Sequence, residues 1–169
     1  MKNNCECSDR NACRCFCCML CRNRCPAPPI PKQMSNGIQA QLIKHPEKNL
    51  ADKEVVIFDN IVNQTGTNNR YNPSTGIFTL HARGLYLINW NISVSGTGQK
   101  PFVRFGIMAN GQIQGSSARP TSVGELHGSN LVTVMNSPVE IAFVNDTGDF
   151  VQYSEVGPIA NITIVQINS

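Results

Sequence analysis

The chain has 169 residues, of which 41% are hydrophobic and only 15% are charged, and its formal net charge is +3. This length fits one domain with a tail and allows a proper buried core. All eight cysteines lie in the first 25 residues, so the rest of the chain must fold without disulfides. Residues 26–169 carry nine basic and nine acidic side chains. A neutral body lacks the basic surface that nucleic-acid binding needs, and we expect no nucleic-acid partner.

The N-terminal segment, residues 1–25, is predicted to be a disordered, cysteine-rich tail. Its arginines should favour the thiolate form of neighbouring cysteines, which promotes disulfide exchange and metal binding alike. Three interpretations remain open: disulfide cross-linking to partner proteins, a metallothionein-like thiolate cluster, or a tail without a fixed role. We favour cross-linking, and assign no metal site and no cofactor. The anchoring residues are then Cys5, Cys7, Cys13, Cys15, Cys17, Cys18, Cys21 and Cys25.

The start of the chain shows no secretory signal, because its apolar run at residues 16–20 is too short. No run reaches the roughly 18 apolar residues of a membrane-spanning helix, so no membrane role is expected. Synthesis in a cytoplasm, where thiols stay reduced, is therefore expected.

A proline-rich linker is predicted over residues 26–36, and a folded head over residues 37–169. The linker contains PAPPIP, which favours an extended polyproline conformation. The head is rich in β-branched and aromatic runs bounded by Gly, Pro, Asn and Ser, and no convincing helix is found. Many short strands at this spacing indicate an antiparallel sandwich or jelly roll. The predicted strands are 38–43, 55–62, 76–80, 85–94, 102–109, 129–135, 139–145 and 160–168.

The strand at residues 85–94 alternates apolar and polar side chains, as a half-buried strand requires. Tyr86 and Trp90 share one face of it and are predicted to be large core residues. Phe78 and Phe105 are added to them as candidate core or subunit-contact residues. Gly76 and Gly84 lie where turns need a positive φ or a close backbone approach.

Catalytic signatures are absent from the sequence. His45, His81 and His127 are isolated, and no nucleophile elbow, P-loop or dinucleotide fingerprint occurs. The segment at residues 145–149, NDTGD, offers oxygens to calcium but is more typical of a turn. We therefore expect a protein that is not an enzyme.

The head resembles the complement-type globular head domain, a member of the tumour-necrosis-factor-like jelly rolls. The segments that carry the resemblance are FDNIVNQTG (58–66), YNPSTGIFTLHARGLYLINW (71–90) and GIMANGQ (106–112). The C-terminal part is similar to bacterial members, such as the heads of collagen-like glycoproteins on endospore exosporia. The resemblance implies an all-β jelly roll and a homotrimer that packs its sheets around a three-fold axis. A Gly-X-Y collagen stalk, usual in those bacterial members, is missing here.

These observations lead to a functional hypothesis. The protein is predicted to be a non-enzymatic structural component of a bacterial spore surface, located in the exosporium, the coat or a surface appendage. The head trimerises, and the tail attaches it to spore-surface or appendage proteins through intermolecular disulfides. The alternatives are a trimeric tip or adhesin that recognises a glycan or host protein, and a metal-binding tail.

Overall fold

The computed structural model describes residues 36–168, and these residues form eleven β-strands and no helix. The cysteine-rich segment and the proline-rich run therefore lie outside the described residues. No described residue belongs to a helix long and apolar enough to cross a membrane. The strands are β1 (Gly37–Leu42), β2 (Asn60–Thr65), β3 (Asn69–Asn72), β4 (Ile77–Leu80), β5 (Gly84–Thr97), β6 (Val103–Ala109), β7 (Gln112–Arg119), β8 (Gly124–Val134), β9 (Val139–Asn145), β10 (Val151–Tyr153) and β11 (Ala160–Asn168).

Two antiparallel sheets are stacked face to face. In the six-stranded sheet β5 pairs with β8 along one side and with β11 and β10 along the other, and β11 continues to β1 and β2. The five-stranded sheet has the order β3-β4-β9-β6-β7. Because sequence neighbours are split between the sheets, the topology is a jelly roll. The predicted all-β, antiparallel jelly-roll fold is confirmed.

The core lies between the two sheets and is built by strand alternation. In β5 every second residue from Tyr86 to Val94 is buried, as the two-residue period of a strand requires. Phe143 stands at its centre, with ring centroids 4.7 Å from Trp90 and 5.3 Å from Phe105. Each aromatic residue buried in this way contributes roughly 2 kcal/mol of transfer free energy.

Strand β8 packs closely against the indole of Trp90. Trp90 Nε1 donates a 3.0 Å hydrogen bond to Asn130 Oδ1 on β8. Gly128 lies over the same ring, and a Cβ at this position would be 2.1 Å from Trp90 Cζ2. Only glycine allows β8 to approach the indole so closely.

The strand predicted at residues 55–62 is correct only over residues 60–62, which belong to β2, and is wrong over residues 55–59. Val55 forms only an isolated bridge with Val144, residues 56–59 are irregular, and β2 begins at Asn60. Val56 and Phe58 are nevertheless buried, which explains their hydrophobic pattern. Three strands, β3, β7 and β10, were not predicted, and β8 starts five residues before its predicted start at residue 129.

The turn before β4 illustrates how glycine positions these segments. Gly76 has φ of 73°, and a Cβ there would be 2.7 Å from Val55 Cγ1 and 2.8 Å from the carbonyl oxygen of Val56. The tight turn therefore both requires a left-handed residue and leaves no room for a side chain.

The sandwich has two ends, at which the loops between the strands lie. Asn36 lies at one end, called the entry end, together with the loops at residues 66–68, 81–83 and 135–138. The opposite end, called the far end, carries the long loop at residues 43–59 and the loops at 98–102, 120–123, 146–150 and 154–159.

Candidate interaction face

The six-stranded sheet has a second side that no other part of the described chain covers as a layer. We call it the outer face; it is formed by the alternate residues that point away from the core. They are Leu85, Leu87, Asn89, Asn91 and Ser93 of β5, Glu125, His127, Ser129, Leu131 and Thr133 of β8, Asn161, Thr163, Val165 and Ile167 of β11, and Gly37, Gln39 and Gln41 of β1.

The outer face is almost free of charge. Among the residues just named, Glu125 is the one carboxylate and His127 the one histidine, and none is Lys or Arg. The outer side of the five-stranded sheet, by contrast, carries charged side chains such as Arg104 and Glu140. Depletion of charged residues distinguishes the centre of protein–protein interfaces from other surfaces.

An apolar row crosses the half of this face nearest the entry end. Leu87 of β5 is paired directly with Leu131 of β8 on one side and with Val165 of β11 on the other. Leu131 is 61% exposed, and the nearby Ile167 is 52% exposed. Removing such side chains from water is favourable at about 25 cal/mol per Å². The row is therefore a surface that gains from being covered.

A notch continues the row on β1. Gly37 pairs with Val165 and has no side chain, so a depression of about 220 Å³ opens between β11, β1 and β2. Thr65 lines this depression, and a Cβ at Gly37 would lie only 3.1 Å from Thr65 Oγ1.

The other half of the outer face is polar, and several of its side chains are bonded within the protomer. Asn91 donates a hydrogen bond to Glu125, whose second carboxylate oxygen is 3.6 Å from His127 Nε2. Gln41 Nε2 donates a 2.6 Å hydrogen bond to Asn161 Oδ1. Polar groups that already have partners are less costly to cover than unpaired ones.

The four aromatic residues singled out from the sequence lie inside the protomer. Phe78, Tyr86 and Phe105 are fully buried and Trp90 is 4% exposed, so all four face the space between the sheets. Tyr86 Oη donates a 3.0 Å hydrogen bond to the carbonyl oxygen of Ala82. Burial raises the pKa of Tyr86 above its ordinary value. These four side chains therefore lie on the core side of the sheets and not on the outer face. Leu87 and Leu131, which do lie on the outer face, were not singled out from the sequence.

The remaining candidates lie apart from one another. The eight cysteines are outside the described residues. His45 packs edge-on against Tyr153 at 6.5 Å between ring centroids, whereas His127 lies on the outer face. No group of three or more His, Cys, Asp or Glu side chains suited to a metal ion occurs within residues 36–168.

The acidic loop at residues 145–149 serves to hold the far end together. Asp146 is ion-paired with Lys53 and, at 2.8 Å, with Arg104. Asp149 accepts hydrogen bonds from the backbone amides of Gln99, Phe150 and Lys100. The Gln99 amide is the largest of the causes that lower the pKa of Asp149. Its carboxylates thus have protein partners, as the predicted turn implies.

A second depression, of about 310 Å³, lies at the far end beneath the loop at residues 43–59. Its lining includes Leu42, Leu50, Val55, Ile57 and Tyr153. Burial raises the pKa of Tyr153 far above its ordinary value, and the nearby Glu54 carboxylate adds to the shift. The volume is at the lower end of the range for small-molecule sites.

Comparison with solved structures places this geometry in the class of tumour-necrosis-factor-like jelly rolls. Murine APRIL at pH 8.5 aligns with a TM-score of 0.59 at 9% identity, covering 78% of this chain and 98% of that chain. The globular domain of zebrafish complement 1qA aligns with a TM-score of 0.51 at 13% identity, covering 79% and 97%. The PRD1 vertex protein P5 aligns with a TM-score of 0.52 at 17% identity, covering 80% and 99%. At these identities the likeness establishes the fold.

The sequence itself identifies the family. The model of the C1q domain matches residues 40–133, more than half of the chain, and the chain belongs to the C1q domain family. A comparison with curated protein sequences gives no match.

Proposed function

We propose that the protein is a non-enzymatic structural component of a bacterial spore surface, whose head forms a homotrimer through the outer face. The observation that carries the trimer is a nearly uncharged sheet face with an exposed apolar row, on a domain of the C1q family. The C1q and tumour-necrosis-factor-like families are ligand-binding or structural modules. A head-to-tail arrangement of three copies buries the outer face of each copy and closes on itself.

The tail then supplies attachment. Each trimer presents three copies of the cysteine-rich segment, and each copy holds eight thiols. Once oxidised, these thiols form intermolecular disulfides with spore-surface or appendage proteins. Several bonds per trimer make the attachment far harder to reverse than any single bond, since a broken bond re-forms at high effective concentration. The resemblance of the C-terminal strands to bacterial exosporium heads supports this location.

The trimer is tested by placing a charge in the apolar row. Leu87→Glu should convert the assembly into folded monomers in analytical ultracentrifugation, because three carboxylates would be buried near one another. Glu140→Gln, on the opposite sheet, is the matched surface control and should remain assembled. A Leu87→Glu variant with an unchanged assembly state would contradict this interface.

The attachment is tested on intact spores. Full-length protein should remain on the surface and should migrate as high-mass species on non-reducing gels of spore extracts. A variant with all eight cysteines replaced by serine keeps the length of the tail and should be lost from the spores. Monomer-sized bands in both reducing and non-reducing lanes would contradict disulfide anchoring.

The depression at the far end favours a second candidate, a trimeric binding module. It lies at the end of the head opposite Asn36, away from the apolar row of the outer face. A glycan array probed with the full-length chain tests this role, and a clear hit abolished by Tyr153→Ala would support it. Binding that persists in this variant would place the ligand elsewhere.

A further inference from the structure

The two edges of the outer face carry complementary shapes. At one edge Leu131 projects from β8 with 61% of its surface exposed. At the other edge the notch at Gly37 has a volume of about 220 Å³. Its outward-facing walls are formed by Gln39, Asn63, Thr65, Thr163 and Val165.

These two features stand at the same height along the strands. The register runs without a break from Leu131 to Leu87, from Leu87 to Val165, and from Val165 to Gly37. It then ends on Thr65 of β2 at the sheet edge. The projection and the notch therefore belong to a single row that is perpendicular to the strands.

In a ring with cyclic symmetry, this shared height would bring the projection of one copy to the notch of the next. Rotation about an axis parallel to the strands moves a copy sideways and leaves every residue at its original height. In a ring built head to tail, the β8 edge of one copy meets the β1–β2 edge of the next. Leu131 of the first copy then arrives at the height of the second copy's notch.

We propose that Leu131 of one protomer packs into the Gly37 notch of the next protomer, and that this contact sets the axial register of the ring. This inference rests on the proposed homotrimer and names the residues that join its subunits. The occupant is a second copy of this chain, because projection and notch face the same side and lie in one row. The missing side chain at Gly37 is then a requirement of assembly, since any side chain there occupies the space of the leucine.

Substitutions on both sides of the contact test the proposal. Leu131→Ala and Gly37→Leu should each raise, at least tenfold, the protein concentration at which half of the trimers are dissociated. The reason is that each substitution removes most of the apolar burial of one leucine per contact. Ile113→Ala removes a 40% exposed side chain from β7 on the other sheet and should change nothing. The measurement is sedimentation of the full-length chain in reductant, with circular dichroism to verify the fold.

Cross-linking decides the register without relying on affinity. In a full-length chain whose eight native cysteines are serine, Leu131→Cys and Gly37→Cys together should yield covalent dimers and trimers on oxidation, and neither alone should. A trimer in which the pair fails to cross-link would overturn this contact and leave the proposed trimer standing. Cross-linking by Leu131→Cys alone would also overturn it, because the leucines would then meet one another on the axis. A wild-type chain that sediments as a monomer would overturn the trimer and the contact together.

Discussion

Gly128→Ala is expected to destabilise the head strongly, although it adds only one methyl group to a half-buried position. The added Cβ would lie 2.1 Å from Trp90 Cζ2 and 2.3 Å from Cε2, well inside van der Waals contact. The indole is only 4% exposed and its ring centroid is 4.7 Å from that of Phe143, so a displaced indole would disturb the packing of the core. Either β8 must move outward or Trp90 must leave its rotamer.

The magnitude follows from what the displaced indole loses. Overpacking of a close-packed core costs about 1–3 kcal/mol. Displacement also breaks the 3.0 Å hydrogen bond from Trp90 Nε1 to Asn130 Oδ1, which is worth about 1 kcal/mol. We therefore expect Gly128→Ala to lower the free energy of unfolding by about 3 kcal/mol, and the Tm by roughly 10 °C.

Urea unfolding of the full-length chain in reductant measures this loss. Gly157→Ala is the matched control, because its nearest neighbour, the Ile43 carbonyl oxygen, would be an ordinary 3.4 Å away. In a Trp90→Phe background the Gly128 substitution should cost at least about 1 kcal/mol less, because the clashing atoms are gone. Equal costs in both backgrounds, or a loss below about 0.5 kcal/mol, would refute the assigned contact.

Three further predictions concern a buried amide, the three tyrosines and one carboxylate. Asn69 is buried with neither side-chain polar atom bonded to the described protein, so Asn69→Leu should raise the urea midpoint, by about 1 kcal/mol of stability; a lower midpoint would show that the amide is satisfied. Burial raises the pKa of Tyr71, Tyr86 and Tyr153, so the folded head should show little phenolate absorbance near pH 10. For the same reason the head should lose stability as the pH rises above that value. A spectroscopic titration that gives all three tyrosines a pKa of about 10 would contradict this. The pKa of Asp149 is lowered, so the stability that its carboxylate contributes is complete above about pH 4 and is lost as the pH falls further. Asp149→Asn should therefore flatten the fall in stability at acid pH. An unchanged dependence of stability on pH would show that Asp149 has no such role.

Much of the fold could be predicted from sequence because most strands carry their own period. The bounds predicted for β9 and β11, at residues 139–145 and 160–168, agree with the structure. Strands such as β7 could not be found in this way, because QIQGSSAR is polar at most positions and none of its residues is buried. β7 is held by its pairing with β6, a contact that the local sequence does not encode.

The break in the pattern of β11 shows the same limit at a single residue. After Ile162 and Ile164, the next core-facing residue is Gln166, while Ile167 points outward. Gln166 is accommodated because Asn36, 130 residues away, donates a 2.6 Å hydrogen bond to its side chain. A buried polar residue of this kind is explained only by its tertiary partner.

The individual residues of the outer face were not identified for a related reason. Alternation identifies Tyr86 and Trp90 as core residues, and the apolar side chains on the other face of the same strand, Leu85 and Leu87, agree with a trimer. One strand alone does not show which neighbours these side chains have. The pairing of Leu87 with Leu131 and Val165 becomes visible only when the register of three strands is known. A usable signal was present in the sequence: the absence of lysine and arginine from β1, β5 and β11.

The mass of the full-length protein in solution under reducing conditions tests the central claim most directly. Reductant removes any disulfides of the tail, so that only packing of the heads holds copies together. The protomer has a mass of 18.5 kDa, and light scattering should give three times this value at micromolar concentration. A mass of one protomer would contradict the proposed assembly of the head.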